Sequence, residues 1–265
     1  MLKVSCIQLK SDNSILNNLK KTEKLILKAV SQKTQLVITP EVSSLFSLNK
    51  DELIKKTTTM LDDIYVKRMR YLAAKHNIWI LLGSVIVKNS KKRLVNRSIL
   101  IDKLGRIRVF YDKIHLYDAV LSKKEKYFES KTFVAGKKIK SFNTPWGKIG
   151  LSICYDLRFP NLYRKLSQAG SIFLSIPSAF TETTGKKHWH ALLKARAIEN
   201  FCYVFASAQG GKHYNGRKTY GHSMIVSPDG KILKKLKRTE GVISVNINPE
   251  LPKELRKRIP SLKQD

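Results

Sequence analysis

Lys148-Ile149-Gly150-Leu151-Ser152-Ile153-Cys154-Tyr155-Asp156 is an apolar strand pattern that ends abruptly at a thiol. Two other stretches share the pattern. Leu36-Val37-Ile38-Thr39-Pro40-Glu41 ends at a carboxylate, and Val109-Phe110-Tyr111-Asp112-Lys113-Ile114-His115 ends at an ammonium and an imidazole. Strand ends in α/β folds gather functional groups, because a rigid sheet delivers their side chains to one crevice. A Glu, a Lys and a Cys delivered in this way form a nucleophilic set. The thiolate is the reactive form of cysteine, and a nearby ammonium and a proton-accepting carboxylate both favour its formation.

Outward from these stretches, strands alternate with helices. Residues 2–9 read as a strand with Leu2, Val4 and Cys6 on one face. Asp12 or Asn13 caps a following helix, along which Ile15, Leu19, Ile26 and Val30 recur at helical spacing. Residues 62–76 read as a second helix with Ile64, Met69, Leu72 and Ala73 inward, and residues 78–87 as a long apolar strand. Residues 94–101 and 106–111 form a hairpin around Asp102-Lys103-Leu104-Gly105. After the strand at 148–154, a helix opens at Asp156 and ends at Gly170. A strand at 171–177, a helix at 188–200 and a strand at 202–208 follow. Residues 220–227 and 231–236 pair around Pro228-Asp229-Gly230, and residues 242–247 close the pattern. Such alternation with a strand-rich end predicts an α/β layered fold. No repeat or linker divides the chain, so residues 1–265 read as a single domain.

The 265 residues are 42% hydrophobic and 27% charged, ordinary globular usage that excludes wholesale disorder. No apolar run approaches the roughly 20 residues that span a bilayer as a helix, and residues 1–9 do not read as a signal peptide. Three cysteines exclude a disulfide framework and fit a reducing, cytoplasmic compartment. Lys and Arg number 51 against 20 Asp and Glu, a net charge of +31. Such charge suits nucleic acid or an anionic surface through counterion release. The basic residues nevertheless come in ones and twos, such as Lys20-Lys21, Lys55-Lys56 and Lys234-Lys235, with no polybasic block. A solvated lysine-rich surface is therefore favoured over a nucleic-acid partner. The charge would still attract anionic substrates.

The three strand-end segments together resemble the nitrilase, or carbon–nitrogen hydrolase, superfamily, whose active site is a Glu-Lys-Cys triad. Pro40-Glu41, then Tyr111-Asp112-Lys113-Ile114-His115, then Cys154-Tyr155-Asp156-Leu157-Arg158-Phe159-Pro160 match the family's motifs in order, and the resemblance covers nearly the whole chain. Pro177-Ser178-Ala179-Phe180, Thr184 to Trp189, Ala195 to Asn200 and Tyr220 to Met224 resemble the branch that holds the omega-amidases and the deaminated glutathione amidases, the latter more closely. The resemblance implies a four-layer α-β-β-α sandwich, a homodimer, and no metal or organic cofactor. It also implies roles. Glu41 would accept the thiol proton, return it to departing ammonia and then activate water. Cys154 would attack the amide carbonyl and form a thioester. Lys113 and the Tyr155 backbone N–H would hold the oxyanion. Glu129, in Phe128-Glu129-Ser130, fits the family's second glutamate and would orient Lys113. Tyr155, Arg158, Phe180, Thr181 and Arg196 are candidate substrate-binding residues. Arg158 has a second reading, in which it locks the loop after the nucleophile.

Other readings compete. A nitrilase, an N-carbamoyl amidohydrolase or an acyl transferase would carry the same triad, and a basic binding protein could retain the fold. His115 could be the base of a Cys-His pair, but the resemblance makes it structural. His188 and His190 do not share a helix face, so no metal site is expected there. Cys6 and Cys202 lie in apolar strands and read as core. The sequence departs from the branch at Asn161, where Glu is usual, at Val42, where Ala is usual, and in the basic loop at 118–126.

Overall fold

Leu2, Val4 and Cys6 enter one apolar core while Ile7 and Leu9 enter another, so the first strand separates two layers, as its alternation predicts. The computed structural model describes residues 1–264. In chain order its elements begin with β1 (Leu2–Gln8), α1 (Ile15–Ser31), β2 (Leu36–Ile38), α2 (Lys50–Lys56), α3 (Ile64–His76), β3 (Trp79–Lys88), β4 (Leu94–Ile101) and β5 (Ile107–Asp112). The middle holds β6 (Asp118–Val120), β7 (Lys126–Phe128), β8 (Ser141–Thr144), β9 (Gly147–Leu151), α4 (Pro160–Gln168), β10 (Ser171–Ser175) and α5 (Glu182–Asn200). Then come β11 (Tyr203–Ala206), β12 (Gly210–Lys212), β13 (Lys218–Tyr220), β14 (Met224–Val226), β15 (Ile232–Lys235), β16 (Gly241–Ile247) and α6 (Leu251–Arg258).

Two six-stranded sheets result, in the orders β16-β1-β2-β3-β4-β5 and β15-β14-β11-β10-β9-β8. Each has a parallel centre, β1-β2-β3 in one and β9-β10-β11 in the other, with antiparallel strands at its margins. Helices α1 and α3 cover the first sheet through Ile26, Ala29, Tyr65, Val66, Met69 and Leu72. Helices α4 and α5 cover the second through Leu162, Tyr163, Leu166, Trp189 and Leu193. The inner core joins Val4, Cys6, Leu36 and Ile38 of the first sheet to Ile149, Leu151, Phe173 and Phe205 of the second. The layer order is therefore α-β-β-α, the four-layer sandwich. No helix among the described residues is long and apolar enough to cross a membrane.

Several boundaries differ from the sequence reading, each for a local reason. Ser14, not Asp12 or Asn13, caps α1, accepting from the Asn17 N–H; Asp12 instead accepts from the Ser14 N–H. Ile64 is 50% exposed, because the buried stripe runs through Tyr65, Met69 and Leu72, one residue around the helix. The strand at 148–154 stops at Leu151, and a 3-10 turn spans Cys154–Arg158. The α-helix expected from Asp156 begins only at Pro160. Proline bars Phe159 from helical geometry and is itself suited to a first helical position. Helix α5 begins at Glu182 rather than 188, since its first turn lacks the apolar spacing that marks the rest. The strand at 220–227 is broken by Gly221 and His222, both at positive φ. The basic loop at 118–126 is partly the β6-β7 ribbon.

The strand ends are held close by one glycine. A Cβ on Gly83 would sit 1.9 Å from the Thr39 carbonyl oxygen and 2.4 Å from Pro177 Cβ. Thr39 belongs to the segment leaving the first sheet and Pro177 to the segment leaving the second, so a side chain at 83 would push the two apart.

Candidate active site

Glu41 leaves the end of β2 on a kinked segment. The adjacent Val42 has φ 48, a costly conformation for a β-branched residue. The β3-β4 irregularity between Leu82 and Val85 supports that kink, since Ser84 accepts from the Val42 N–H at 2.8 Å and donates its own N–H to Pro40. Cys154 sits at φ 49, and its N–H is spent on the Pro177 carbonyl at 2.8 Å. Tyr155 is the second residue of the 3-10 turn, where N–H groups have no partner within the turn. Lys113 follows β5 directly.

These side chains meet. Lys113 Nζ donates to Glu41 Oε1 at 2.9 Å and to Glu129 at 2.8 and 3.1 Å. Glu41 Oε1 also accepts from Asn96 Nδ2 at 2.9 Å, and its Oε2 from the Ala179 N–H at 2.7 Å. Cys154 lines the same cavity as Glu41 and Lys113, close enough for both charges to act on its thiol. Glu129 accepts further from Asn96 Nδ2 and from the Tyr117 N–H. Lys113, Glu41 and Cys154 are 2%, 4% and 7% exposed, so the interactions act at low dielectric.

Burial is the largest influence on Glu41 and resists its charge, but the Lys113 ammonium, together with the hydrogen bonds the carboxylate receives, holds the carboxyl below its usual range. Burial likewise opposes the Lys113 charge, and the Glu129 and Glu41 carboxylates reverse that, holding its pKa well above the usual value. Burial and then the Glu41 charge push the Cys154 thiol up, with Lys113 in partial opposition. The resting pair is thus a neutral thiol beside a charged carboxylate, rather than a preformed thiolate. Cys6 is fully buried and pushed up to about 12 by burial; Cys202 is raised for the same reason. Both belong to the core.

Asp156 braces the elbow. Its Oδ2 accepts from the Ile153 N–H at 2.8 Å and the Tyr111 hydroxyl at 2.7 Å. Its Oδ1 accepts from the His115 N–H at 3.1 Å and lies 2.6 Å from His115 Nδ1. The His115 ring stacks on Phe159 at 3.6 Å. One fully buried carboxylate therefore ties the Lys113 segment to the Cys154 turn, and His115 is occupied in that tie.

Tyr155, Arg158, Phe180 and Thr181 line a narrow cleft with Cys154. Arg158 contacts His188 Nδ1 at 3.2 Å and lies 5.2 Å over the Phe180 ring. Arg196 is placed elsewhere. It is buried, with Nε and Nη2 on the Leu157 carbonyl at 3.1 and 2.8 Å and Nη1 on Glu199. Its place is behind the Cys154–Arg158 turn, holding Leu157. A larger cavity of about 240 Å³ opens beside the triad and is lined by Phe46, Asn96, Tyr117, Phe133 and Arg217 among others. The sequence reading passed over Asn96, Tyr117 and Arg217. Asn96 had a signal, a polar residue inside the apolar run 94–101; the other two had none. His188 and His190 diverge, the first to Arg158 and the second to the rings of Tyr220 and His222. Among the described residues no three His, Cys, Asp or Glu side chains are grouped to hold a metal ion.

Residues 3–257 match the carbon-nitrogen hydrolase family. A deaminated glutathione amidase from Synechocystis is 39% identical over 97% of this chain and 96% of its own. The probable hydrolase nit2 of Schizosaccharomyces pombe is 37% identical over 97% and 95%. The crystal structure of the Caenorhabditis elegans NitFhit protein superposes with a TM-score of 0.93 at 38% identity, covering all of this chain and 65% of that one. Saccharomyces cerevisiae Nit3, a member of branch 10 of the nitrilase superfamily, superposes at 0.88 with 29% identity over 98% and 94%. With sequence and fold in agreement over nearly its whole length, this chain belongs to the carbon-nitrogen hydrolase family and is a hydrolase.

Proposed function

We propose that the chain is a cysteine-dependent amidohydrolase that cleaves the C–N bond of a small anionic amide and releases ammonia. Deaminated glutathione is the first candidate substrate and an α-keto acid ω-amide the second. The observation that carries this reading is the junction of Glu41, Lys113 and Cys154 at one cavity, with Glu41 hydrogen-bonded to Lys113 and its charge acting on the Cys154 thiol. The names of the Synechocystis and Dictyostelium relatives, both deaminated glutathione amidases, support the choice of substrate.

In this reading Cys154 Sγ attacks the amide carbon while Glu41 takes the thiol proton. The carbonyl oxygen becomes an oxyanion, held by Lys113 Nζ and the Tyr155 N–H. Glu41 then gives its proton to the amide nitrogen, because amide nitrogen leaves poorly unless protonated. The C–N bond breaks, ammonia departs and a thioester is left on Sγ. Water attacks the thioester as Glu41 takes its proton. Collapse releases the acid, and the proton returns to Sγ. Glu129 holds Lys113 in place by two contacts throughout, so the ammonium stays charged when the oxyanion forms. Every proton and electron pair in the cycle is carried by the chain's own groups and water. A homodimer in a reducing, cytoplasmic compartment completes the proposal. Family resemblance carries the first part, and three buried free cysteines fit the second.

The test is ammonia release from deaminated glutathione, α-ketoglutaramate and glutamine, with a nitrile and an N-carbamoyl amine alongside. The expected order is deaminated glutathione first, then α-ketoglutaramate, with Cys154→Ala silent on all. Faster release from the nitrile or the carbamoyl amine would replace the amidase reading with another of the same superfamily. No release from any of them would overturn it.

A further inference from the structure

The catalytic cavity borders a second, more open space of about 500 Å³, and the two share Leu48, Lys126, Tyr127 and Arg217. The second space is lined by Lys124, Lys126, Lys186 and Lys218 together with Glu125 and Glu182. Both carboxylates are already engaged. Glu182 pairs with Arg238 at 2.8 Å and Lys186 at 3.3 Å. Glu125 accepts from the Tyr127 hydroxyl at 3.1 Å and from Thr183 Oγ1 at 2.9 Å.

Arg217, at the junction of the two spaces, is different. Its Nη2 donates to the Ala179 carbonyl at 2.9 Å, but its Nε is buried with no hydrogen-bond partner. Among the described residues it forms no ion pair with a carboxylate. Its guanidinium lies 5.3 Å over the Phe46 ring and 4.8 Å over the Tyr127 ring. That leaves a partly buried cation, walled by aromatic rings and short of acceptors, on the wall of the reaction cavity. A guanidinium so placed gains most from a carboxylate, which it meets with two parallel donors.

Its position is also fixed. Arg217 ends the turn between β12 and β13, where the His213 N–H donates to the Arg217 carbonyl at 2.8 Å and the Arg217 N–H to Asn215 Oδ1 at 3.1 Å. His213 is buried and stacked on Phe46 at 3.9 Å, with contacts to the Ser11 carbonyl and Thr219 Oγ1. The base of the turn is thus tied to the cavity wall through the stacking of His213 on Phe46.

We propose that Arg217 is the specificity-determining residue of this site and receives a carboxylate on the acyl part of the substrate. Ammonia is the leaving group, so any recognised charge must lie on the part that stays bound to Cys154. Lys126, at the same junction, extends the attraction outward to a second anionic group on longer substrates. The inference rests on the amidase reading and adds the residue that selects within it.

The first experiment compares a carboxylate-bearing ω-amide with a neutral aliphatic amide of equal length. Arg217→Met keeps much of the side-chain stem over Phe46 and Tyr127 and removes the charge. The ratio of kcat/KM for the acidic amide over the neutral one is expected to fall by about 10- to 100-fold, mostly through KM, as for loss of a charge-assisted contact. Arg217→Lys should recover part of that ratio. An equal loss on both amides would show that Arg217 only supports Ala179 and would overturn the proposal; so would an unchanged ratio. The second experiment does not need turnover. Glutarate is titrated calorimetrically into Cys154→Ala, with and without Arg217→Met. Binding that weakens at least about tenfold on removal of the guanidinium supports the subsite even if the wild type hydrolyses no amide. Binding that is absent, or insensitive to Arg217, overturns the subsite while leaving the amidase reading to its own test.

Discussion

Glu41→Gln is expected to lower kcat by about 10²–10⁴-fold, the range for loss of a positioned acid–base group, with the protein still folded. Glutamine keeps the shape of the side chain but can neither take the thiol proton nor return it to nitrogen. The high thiol pKa makes this loss severe. Burial and the Glu41 charge keep Cys154 protonated at rest, so attack requires a proton acceptor in contact with sulfur. In the proposed cycle Glu41 is that acceptor, and its own carboxyl lies below the ordinary 4.5 because Lys113 and the hydrogen bonds it receives together outweigh burial. The ionised form is the active one, so the acid limb of kcat/KM in the wild type should fall below about pH 4.5. A pH profile of the wild type and a single-turnover rate for the variant check both parts. A variant that retains most of its rate would assign the proton transfer to another group.

Lys113→Met is expected to destabilise the fold by about 3–5 kcal/mol, the usual effect of removing one partner of a buried ion pair. That is a large share of the 5–15 kcal/mol typical of a whole domain. Two carboxylates, Glu41 and Glu129, would be left close together around Asn96 with no cation between them. One of them must then take up a proton in the folded state. In the wild type the Glu41 carboxyl is lowered from 4.5 and the Lys113 ammonium raised from 10.5. The lowered carboxyl contributes stability that is present above its unfolded pKa and lost as pH falls through the folded one. The raised ammonium contributes stability that is full below its unfolded pKa and lost as pH rises through the folded one. Both contributions are therefore in force between about pH 4.5 and 10.5. In the variant the sign for the carboxylates inverts. A raised carboxyl pKa means that the folded state binds the extra proton, so stability rises as pH is lowered from 8 towards 5. Urea denaturation of the variant and the wild type at pH 8 and pH 5 measures this. A gap that is the same at both pH values would contradict the charge arrangement. If Lys113 is the oxyanion donor of the proposed cycle, the variant should also lose about 10²–10³ in rate.

The parts of this site that were legible in the sequence are those that local pattern determines. A short apolar strand stopped by Pro40 presents Glu41, and one stopped by a turn presents Cys154. Such features need no knowledge of what lies across the molecule, and the alternation of Val4 and Cys6 is of the same kind. The less legible parts depend on distant contacts. Arg217 stands in a polar stretch that reads as an ordinary turn, and its meaning comes from Phe46, Tyr127 and Ala179, none of them near it in sequence. Arg196 shows the converse. Its motif suggested a pocket residue, but the same guanidinium can hold a backbone carbonyl, and packing gave it Leu157. The positive φ at Val42 has no sequence signal, since valine resists that conformation. It arises because Ser84 and Pro40 over-determine the kink. The net charge of +31 said little about the fold. Part of it is visible as the lysines around the outer space, where it would steer anionic substrates.

The most direct measurement is the mass of the Cys154 peptide during turnover. The enzyme is mixed with an ω-amide, quenched in acid within one cycle, digested and weighed. The predicted result is a gain equal to the substrate less ammonia, removed by neutral hydroxylamine and absent in Cys154→Ala. An unmodified Cys154 at every time point, with ammonia accumulating and hydroxylamine diverting no product, would contradict the thioester route.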